Sequence, residues 1–143
     1  MFRQLSDRVY ASPQIGLAEV AEAARMGIGL IINNRPEGES DDQTPGEEIA
    51  SAARRAGMDY VAIPVTHAGF SEGQMKAMTA ALAGTDKPIL AYCRSGTRST
   101  LLWALAEAST GHHPDDLAQA AADAGYDLTS IRPLLDMLAA GKQ

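Results

Sequence analysis

The stretch Pro88-Ile-Leu-Ala-Tyr-Cys-Arg-Ser-Gly-Thr-Arg98 decides the fold, because an apolar run gives way to a short polar loop. Pro88 to Tyr92 is a predicted buried strand, Cys93 to Arg98 a tight loop, and Ser99 to Ala108 an amphipathic helix. At such a turn the unpaired backbone N–H groups of the helix start bind anions. Cys93 is the only cysteine in the chain. The sequence therefore places its one sulfur nucleophile at a predicted anion-binding turn.

The loop combines features that stabilise a thiolate and bind an anion at the same place. The positive end of the helix dipole and the charges of Arg94 and Arg98 favour a deprotonated sulfur. Gly96 allows backbone amides to point inward at one bound anion, and Ser99 can hydrogen-bond the sulfur or cap the helix. An inert buried cysteine is the alternative interpretation, and the arginines and the glycine argue against it. The predicted site residues of this stretch are Cys93, Arg94, Ser95, Gly96, Thr97, Arg98 and Ser99.

Before this stretch, strand-like runs alternate with helical segments. The runs are Arg8 to Ala11, Gly29 to Ile32 and Asp59 to Val65. This alternation predicts an α/β fold with a mostly parallel sheet of about four to five strands and helices packed on it. The chain has 143 residues, the size of one domain, so we predict a single domain over residues 1–143.

Helix starts and stops are also visible in the sequence. Thr44 is a predicted cap, with Glu47 completing a capping box, and Ser71 with Gln74 repeats this pattern. A helix before them ends at Gly27, a residue that tolerates the left-handed conformation. Two further helices follow the cysteine helix, with Pro133 tolerated in the first turn of the second. The remaining predicted helices are Leu17 to Met26, Pro114 to Ala124 and Ile131 to Ala140.

Three loops follow the predicted parallel strands, where ligands of an open sheet bind. They are Asn33 to Gln43, Thr66 to Phe70 and Cys93 to Arg98. The first is long and polar, which predicts a mobile segment or a lid over the site.

Three residues on these loops have two open interpretations each. Arg35 either recruits an anion into the site or pairs structurally with Glu37 or Glu39. His67 either donates a proton or a hydrogen bond to the substrate, or is a loop histidine bonded to backbone. Arg94 either contacts the anion or is solvated at the turn.

Charge and hydropathy argue against several classes of protein. The net charge is -6, and no Lys/Arg stripe interleaved with aromatics is present, which disfavours nucleic acid as a partner. No run approaches the roughly 18 apolar residues of a membrane-spanning helix. The start, Met1 to Leu5, lacks the apolar stretch of a signal peptide, so we expect a cytoplasmic protein without membrane contact.

The lone cysteine and the histidines limit the disulfide and metal chemistry that the chain can support. Cys93 has no partner for an internal disulfide, so any intermediate on it must be discharged by an outside acceptor. His112 and His113 stand beside two aspartates, but Pro114 marks a helix start there, and capping explains the cluster better than a metal. We predict no metal and no organic cofactor.

The spacing Cys93-x-x-Gly96-x-Arg98 resembles the active-site loop of rhodaneses, whereas protein tyrosine phosphatases have one more residue before the arginine. Over nearly its full length the chain resembles the phosphatase-like domain of β-lactamase hydrolase-like proteins. This resemblance implies a three-layer, dual-specificity-phosphatase-like fold with helices on both faces of the sheet. It also implies sulfur transfer, with a persulfide dioxygenase as a possible partner. The segments that carry it are Leu5 to Gln14, Ile31 to Pro36, Tyr60 to Val65 and Gly125 to Asp127.

The leading functional expectation is a rhodanese-like sulfurtransferase. Cys93 would take a sulfane sulfur from thiosulfate or glutathione persulfide and pass it to a thiol or cyanide, with Arg98 binding the donor's oxyanion. A short loop suits a single persulfide sulfur. The loop Thr66 to Phe70 lacks the acidic aspartate of phosphatases, and sulfite leaves thiosulfate without a proton. Tyr92 also replaces the histidine that phosphatases usually have before the cysteine.

Two alternatives stay open. The first is a cysteine-dependent protein tyrosine or dual-specificity-like phosphatase that uses Cys93 and Arg98 in comparable roles and His67 as the acid. The second is a non-catalytic sensor of anions or persulfides that signals through the Asn33 to Gln43 loop. Sustained turnover by the pure protein would exclude the sensor.

Overall fold

The computed structural model describes residues 1–142 and contains one five-stranded sheet. Its strand order is β1-β2-β5-β3-β4. β1 runs antiparallel to β2, and the other neighbours are parallel, which confirms the predicted mostly parallel sheet. The strands are β1 Arg3–Gln4, β2 Val9–Ser12, β3 Leu30–Asn33, β4 Asp59–Ala62 and β5 Ile89–Tyr92.

Six α-helices cover the two faces of the sheet, so the fold has three layers. Side chains of β5 alternate between the faces, as a pleated strand requires. Leu90 and Tyr92 pack with α1 and α2, whereas Ile89 and Ala91 pack with α3 to α6. The helices are α1 Leu17–Arg25, α2 Gly46–Arg55, α3 Glu72–Ala83, α4 Thr97–Ser109, α5 Pro114–Asp123 and α6 Arg132–Ala140, and a short 3-10 turn spans Thr129–Ile131.

The helix after the cysteine loop lies in the centre of one layer. In α4, Leu102, Trp103 and Leu105 are almost completely buried, and the alanines between them are buried as well. A helix apolar on most sides is typical of a core position. The cysteine loop is therefore anchored between the central strand β5 and a helix fixed by core packing.

Two local predictions differ from the structure. The predicted cap at Thr44 is wrong: α2 begins at Gly46, whose N–H donates to Glu37 Oε1 at 2.9 Å. A carboxylate from the preceding loop occupies that helix end because it favours the positive end of the helix dipole. The strand predicted over Asp59 to Val65 ends at Ala62, although the N–H groups of Ile63 and Val65 still bond to the carbonyls of Asn33 and Asn34.

Other local predictions are confirmed. Ser71 Oγ accepts the Gln74 N–H at 3.1 Å, and Gln74 Oε1 accepts the Ser71 N–H at 2.7 Å, so α3 has its capping box. α6 carries a proline in its first turn. Among residues 1–142, no helix has the length and apolar character needed to cross a membrane.

Candidate active site

The cysteine loop follows the central strand directly and holds the sulfur at its base. Cys93 is completely buried, and its N–H donates to the Ser12 carbonyl at 3.3 Å. The Gly96 N–H donates to Cys93 Sγ at 3.1 Å. An N–H group aimed at the sulfur stabilises the thiolate, which is the nucleophilic form. The structure therefore gives Cys93 the environment of a nucleophile at the start of α4.

Gly96 turns the chain from the loop into α4. Its φ is +93°, a conformation that side chains other than glycine rarely adopt. A Cβ atom at this position would overlap the hydroxyl of Tyr126 and lie 3.3 Å from the Ser12 carbonyl carbon. Both the backbone conformation and the neighbours thus require glycine.

Tyr126 supports the cysteine loop through a hydrogen bond to its backbone. Its hydroxyl donates to the Ser95 carbonyl at 3.2 Å, and the Arg3 guanidinium lies 5.4 Å from the ring centroid. Burial raises the pKa of Tyr126, so the hydroxyl stays protonated and able to donate. The sequence alone indicated no role for this tyrosine. The available signal was a tyrosine directly after the glycine that ends α5.

We expect Gly96→Ala to destabilise the protein by at least about 2 kcal/mol, because the left-handed conformation and the overlap with Tyr126 both add to the cost. Urea unfolding followed by circular dichroism measures this. Gly57→Ala is the matched control, since Gly57 also has a positive φ but open space around its Cβ position. Adding Tyr126→Phe to Gly96→Ala should recover part of the loss. Equal costs at Gly96 and Gly57 would contradict the role assigned to Tyr126.

Arg98 forms a two-pronged ion pair with a residue of the polar loop. Its Nη1 and Nη2 donate to the two carboxylate oxygens of Glu39 at 2.7 and 2.9 Å. Nη1 also donates to the Val65 carbonyl at 2.7 Å. The bond to Glu39 and the nearby Cys93 sulfur raise the pKa of Arg98, although burial opposes them. Arg98 thus lies near the Cys93 sulfur, and its role in binding an anionic substrate stays a prediction.

Glu39 is the residue of this site that sequence reasoning named only as a pairing partner for Arg35. The bond from Arg98 is the main cause that lowers the pKa of Glu39 to about 2, and Arg35 adds to it. Because this folded-state pKa is depressed, the ion pair is complete above the ordinary pKa of 4.5 and is lost as the pH falls towards about 2. At neutral pH Glu39 is therefore a fixed negative charge.

Arg35 is a buried arginine that ties the polar loop together. Its Nε donates to Glu39 at 2.9 Å, its Nη1 to Gln14 at 3.0 Å and its Nη2 to Ser40 at 3.0 Å. Its side chain is only 3% exposed. Of the two interpretations, the structural pairing is the one observed, and anion recruitment by Arg35 stays a prediction.

The remaining predicted residues are placed less favourably. Ser99 is completely buried, but its hydroxyl has no hydrogen-bond partner among residues 1–142, so the expected bond to the sulfur is not formed. The reason is that Ser99 lies inside α4 and Gly96 supplies the bond instead. Arg94 and His67 are both exposed, which fits a solvated arginine and a histidine open to solvent. Their contacts with a substrate stay predictions.

The small side chains of the loop bond to each other. Ser95 Oγ donates to Thr97 Oγ1 at 2.9 Å and accepts the Thr97 N–H at 3.3 Å. Both residues are exposed, so they lie on the outer side of the loop.

Away from the loop, His113 Nδ1 accepts the Asp115 N–H at 3.1 Å and caps α5. Within residues 1–142 no cluster of three metal-ligating side chains occurs.

The polar loop from Asn33 to Gln43 folds over this site as a candidate lid. Gln43 holds it closed on itself, with Nε2 donating to the Pro36 carbonyl at 2.9 Å and Oε1 accepting the Glu39 N–H at 3.0 Å. At its base, Asn33 Nδ2 donates to the Tyr60 hydroxyl at 3.0 Å. These bonds fix Glu39 opposite Arg98. Movement of the loop stays a prediction.

Known proteins share this fold. Residues 1–110 match the family described as the phosphatase-like domain of the beta-lactamase hydrolase-like protein. A beta-lactamase hydrolase-like protein of Xylella fastidiosa is 37% identical over 125 residues, which make up 87% of this chain and 29% of that protein. The chain thus spans less than a third of that relative's length.

Two crystal structures extend the comparison. A candidate phosphatase from Neisseria meningitidis is 32% identical and superposes with a TM-score of 0.83. The superposition covers 95% of this chain and 96% of that one. A kinase-associated phosphatase, crystallised with its catalytic cysteine replaced by serine, has a TM-score of 0.70 at 16% identity and covers 97% and 94%. The second likeness concerns the fold alone.

These findings confirm the predicted resemblance and the three-layer phosphatase-like fold. They favour the phosphatase alternative over the leading expectation of sulfur transfer, for which they contain no support. The comparisons thus describe the chain as a cysteine-dependent, phosphatase-like domain. The chain belongs to the family of the phosphatase-like domain of beta-lactamase hydrolase-like proteins.

Proposed function

We propose that this domain hydrolyses small aryl phosphate esters through a phosphocysteine on Cys93. The observation that carries the proposal is the sulfur itself, which is buried at the start of α4 and accepts the Gly96 N–H at 3.1 Å. Arg98 lies close enough to that sulfur to have its pKa raised by it. A nucleophile at the start of a helix and near an arginine suits attack on an oxyanion. The family's description supports phosphatase chemistry over other transfers.

The reaction has two displacements at phosphorus. The Cys93 thiolate forms a bond to phosphorus, and the bond from phosphorus to the aryl oxygen breaks with its electron pair on that oxygen. Water then attacks phosphorus, the sulfur–phosphorus bond breaks, and inorganic phosphate and the thiolate are released. Arg98 and the backbone amides of the loop would bind the phosphoryl oxygens through both steps.

The leaving group defines the substrate class. An alkyl oxygen needs a proton as it leaves, so a phosphatase acting on alkyl esters needs a protonated acid. Glu39 has a pKa of about 2, and the Ser40 hydroxyl lowers the pKa of Asp42 on the same loop. Both carboxylates are therefore ionised at neutral pH and have no proton to give, which leaves His67 as the candidate acid. Aryl phosphates fit this site better because a phenolate leaves more readily.

Sulfur transfer is the second candidate, and the loop length favours it. Only four residues separate Cys93 from Arg98, a spacing that resembles rhodaneses. The Cys93 thiolate would attack the outer sulfur of thiosulfate, forming a persulfide while sulfite leaves with the electron pair of the broken sulfur–sulfur bond. Cyanide, a thiol or a persulfide dioxygenase would then receive the outer sulfur. This route needs no acid.

Intact-mass analysis distinguishes the two candidates directly. After rapid quenching with p-nitrophenyl phosphate we expect a gain of about 80 Da on the wild type, the mass of one phosphoryl group. A gain of about 32 Da after thiosulfate, removed by cyanide with release of thiocyanate, would establish sulfur transfer instead. Neither adduct and no turnover with either substrate would contradict both and leave the sensor.

A further inference from the structure

The ion pair between Glu39 and Arg98 determines which part of the arginine is left for a substrate. A guanidinium has five N–H groups in a rigid plane. Nη1 donates both of its N–H groups, one to Glu39 and one to the Val65 carbonyl, and Nη2 donates one to Glu39. The N–H groups that Glu39 and Val65 leave unoccupied are Nε–H and the second N–H of Nη2. These two N–H groups lie on the same edge of the guanidinium plane and can bind two oxygens of one anion.

Glu39 also changes the charge of the pocket. Its carboxylate bonds to both Arg35 and Arg98. The side chain of Glu39 is 18% exposed, that of Arg35 3% and that of Arg98 14%. Two guanidinium charges are thus reduced to one net positive charge in a partly buried place. Without the carboxylate, both charges would attract any free oxyanion, because charges interact more strongly where solvent is scarce.

We propose that Glu39 is a positioning residue that presents one edge of Arg98 beside Cys93. By neutralising one of the two arginine charges in this partly buried pocket, Glu39 also weakens the binding of free oxyanions there. The carboxylate weakens the binding of unreactive anions such as sulfate or inorganic phosphate. At the same time it fixes the arginine in the orientation that the reaction uses. The Glu39 side chain therefore lowers the affinity for a free anion and raises the rate of turnover.

The test compares wild type, Glu39→Gln and Asp41→Asn in two measurements. Asp41 is an exposed residue of the same loop, so its variant removes the same charge without touching either arginine. Calorimetric titration with sulfate should give a dissociation constant about tenfold lower for Glu39→Gln than for wild type, because a nearby repulsive charge is gone. With p-nitrophenyl phosphate, its kcat should fall about 10- to 100-fold, because the arginine is no longer held. Asp41→Asn should stay within about twofold in both.

Each outcome decides the proposal. Unchanged or weaker sulfate binding by folded Glu39→Gln overturns it, and so does an unchanged kcat. If Glu39→Gln does not fold, Glu39→Asp takes its place: the charge remains, so sulfate affinity should stay within about threefold, while the shorter side chain cannot reach both arginines and kcat should fall. An undiminished kcat in Glu39→Asp overturns the proposal. The kcat measurement rests on the proposed function, whereas sulfate binding does not, so inactivity of the wild type would refute only that function.

Discussion

Replacing Cys93 with serine should lower turnover of p-nitrophenyl phosphate by about 10⁴-fold or more, the scale seen when a nucleophile is removed from an enzyme. Serine is a much weaker nucleophile than cysteine, and its hydroxyl would take the place of the sulfur that accepts the Gly96 N–H. The Cys93→Ser variant should also show no mass gain with either phosphate ester or thiosulfate. The same outcome applies to sulfur transfer, because both routes pass through this atom.

The fold must survive for this result to be informative. Cys93 is buried at the end of β5, and its backbone bond to Ser12 does not depend on the side chain. We therefore expect the circular dichroism spectrum of the variant to match that of the wild type. Turnover that persists at more than about a hundredth of the wild-type rate in a folded variant would show that Cys93 is not the nucleophile.

Replacing Arg98 with lysine should lower kcat about 10²- to 10³-fold, the usual cost of losing one donor to a developing oxyanion. Lysine keeps the positive charge but loses the planar fork that bonds to Glu39 and Val65 at once. Its ammonium group cannot offer two N–H groups in one plane to an anion. The variant therefore separates the charge of Arg98 from its geometry.

Steady-state kinetics with p-nitrophenyl phosphate measures this effect. Arg54→Lys on α2 is the matched control, because Arg54 is exposed and distant in the sequence from every loop of the site. The control should keep its kcat within about twofold. A folded Arg98→Lys variant with more than about a third of the wild-type kcat would show that charge alone is sufficient.

Local patterns predicted the elements that depend on neighbouring residues. The run from Pro88 through the cysteine loop became β5 and α4, and the Ser71 capping box formed as expected. Both follow from periodicity and from side chains that reach only three or four residues along the chain. The position of the candidate nucleophile was therefore accessible from sequence alone.

Contacts between distant residues were not accessible in this way. Glu39 and Arg98 are 59 residues apart, and Tyr126 and Ser95 are 31 apart. Glu37 caps α2 from nine residues away, where the local pattern favoured Thr44. Such pairs form only after the sheet brings the loops after β3 and β5 to one edge, so periodicity and propensity contain no signal for them.

The position of β5 between β2 and β3 separates two properties that evolution and engineering can change independently. The candidate nucleophile Cys93 lies between the central strand and a helix packed into the core, so substitutions around it are expected to disturb that packing. The loop that faces it follows a different strand, where insertions and substitutions leave the core intact. New substrate preferences in this scaffold are therefore best sought by varying loop length and charge after β3 while leaving the cysteine loop untouched.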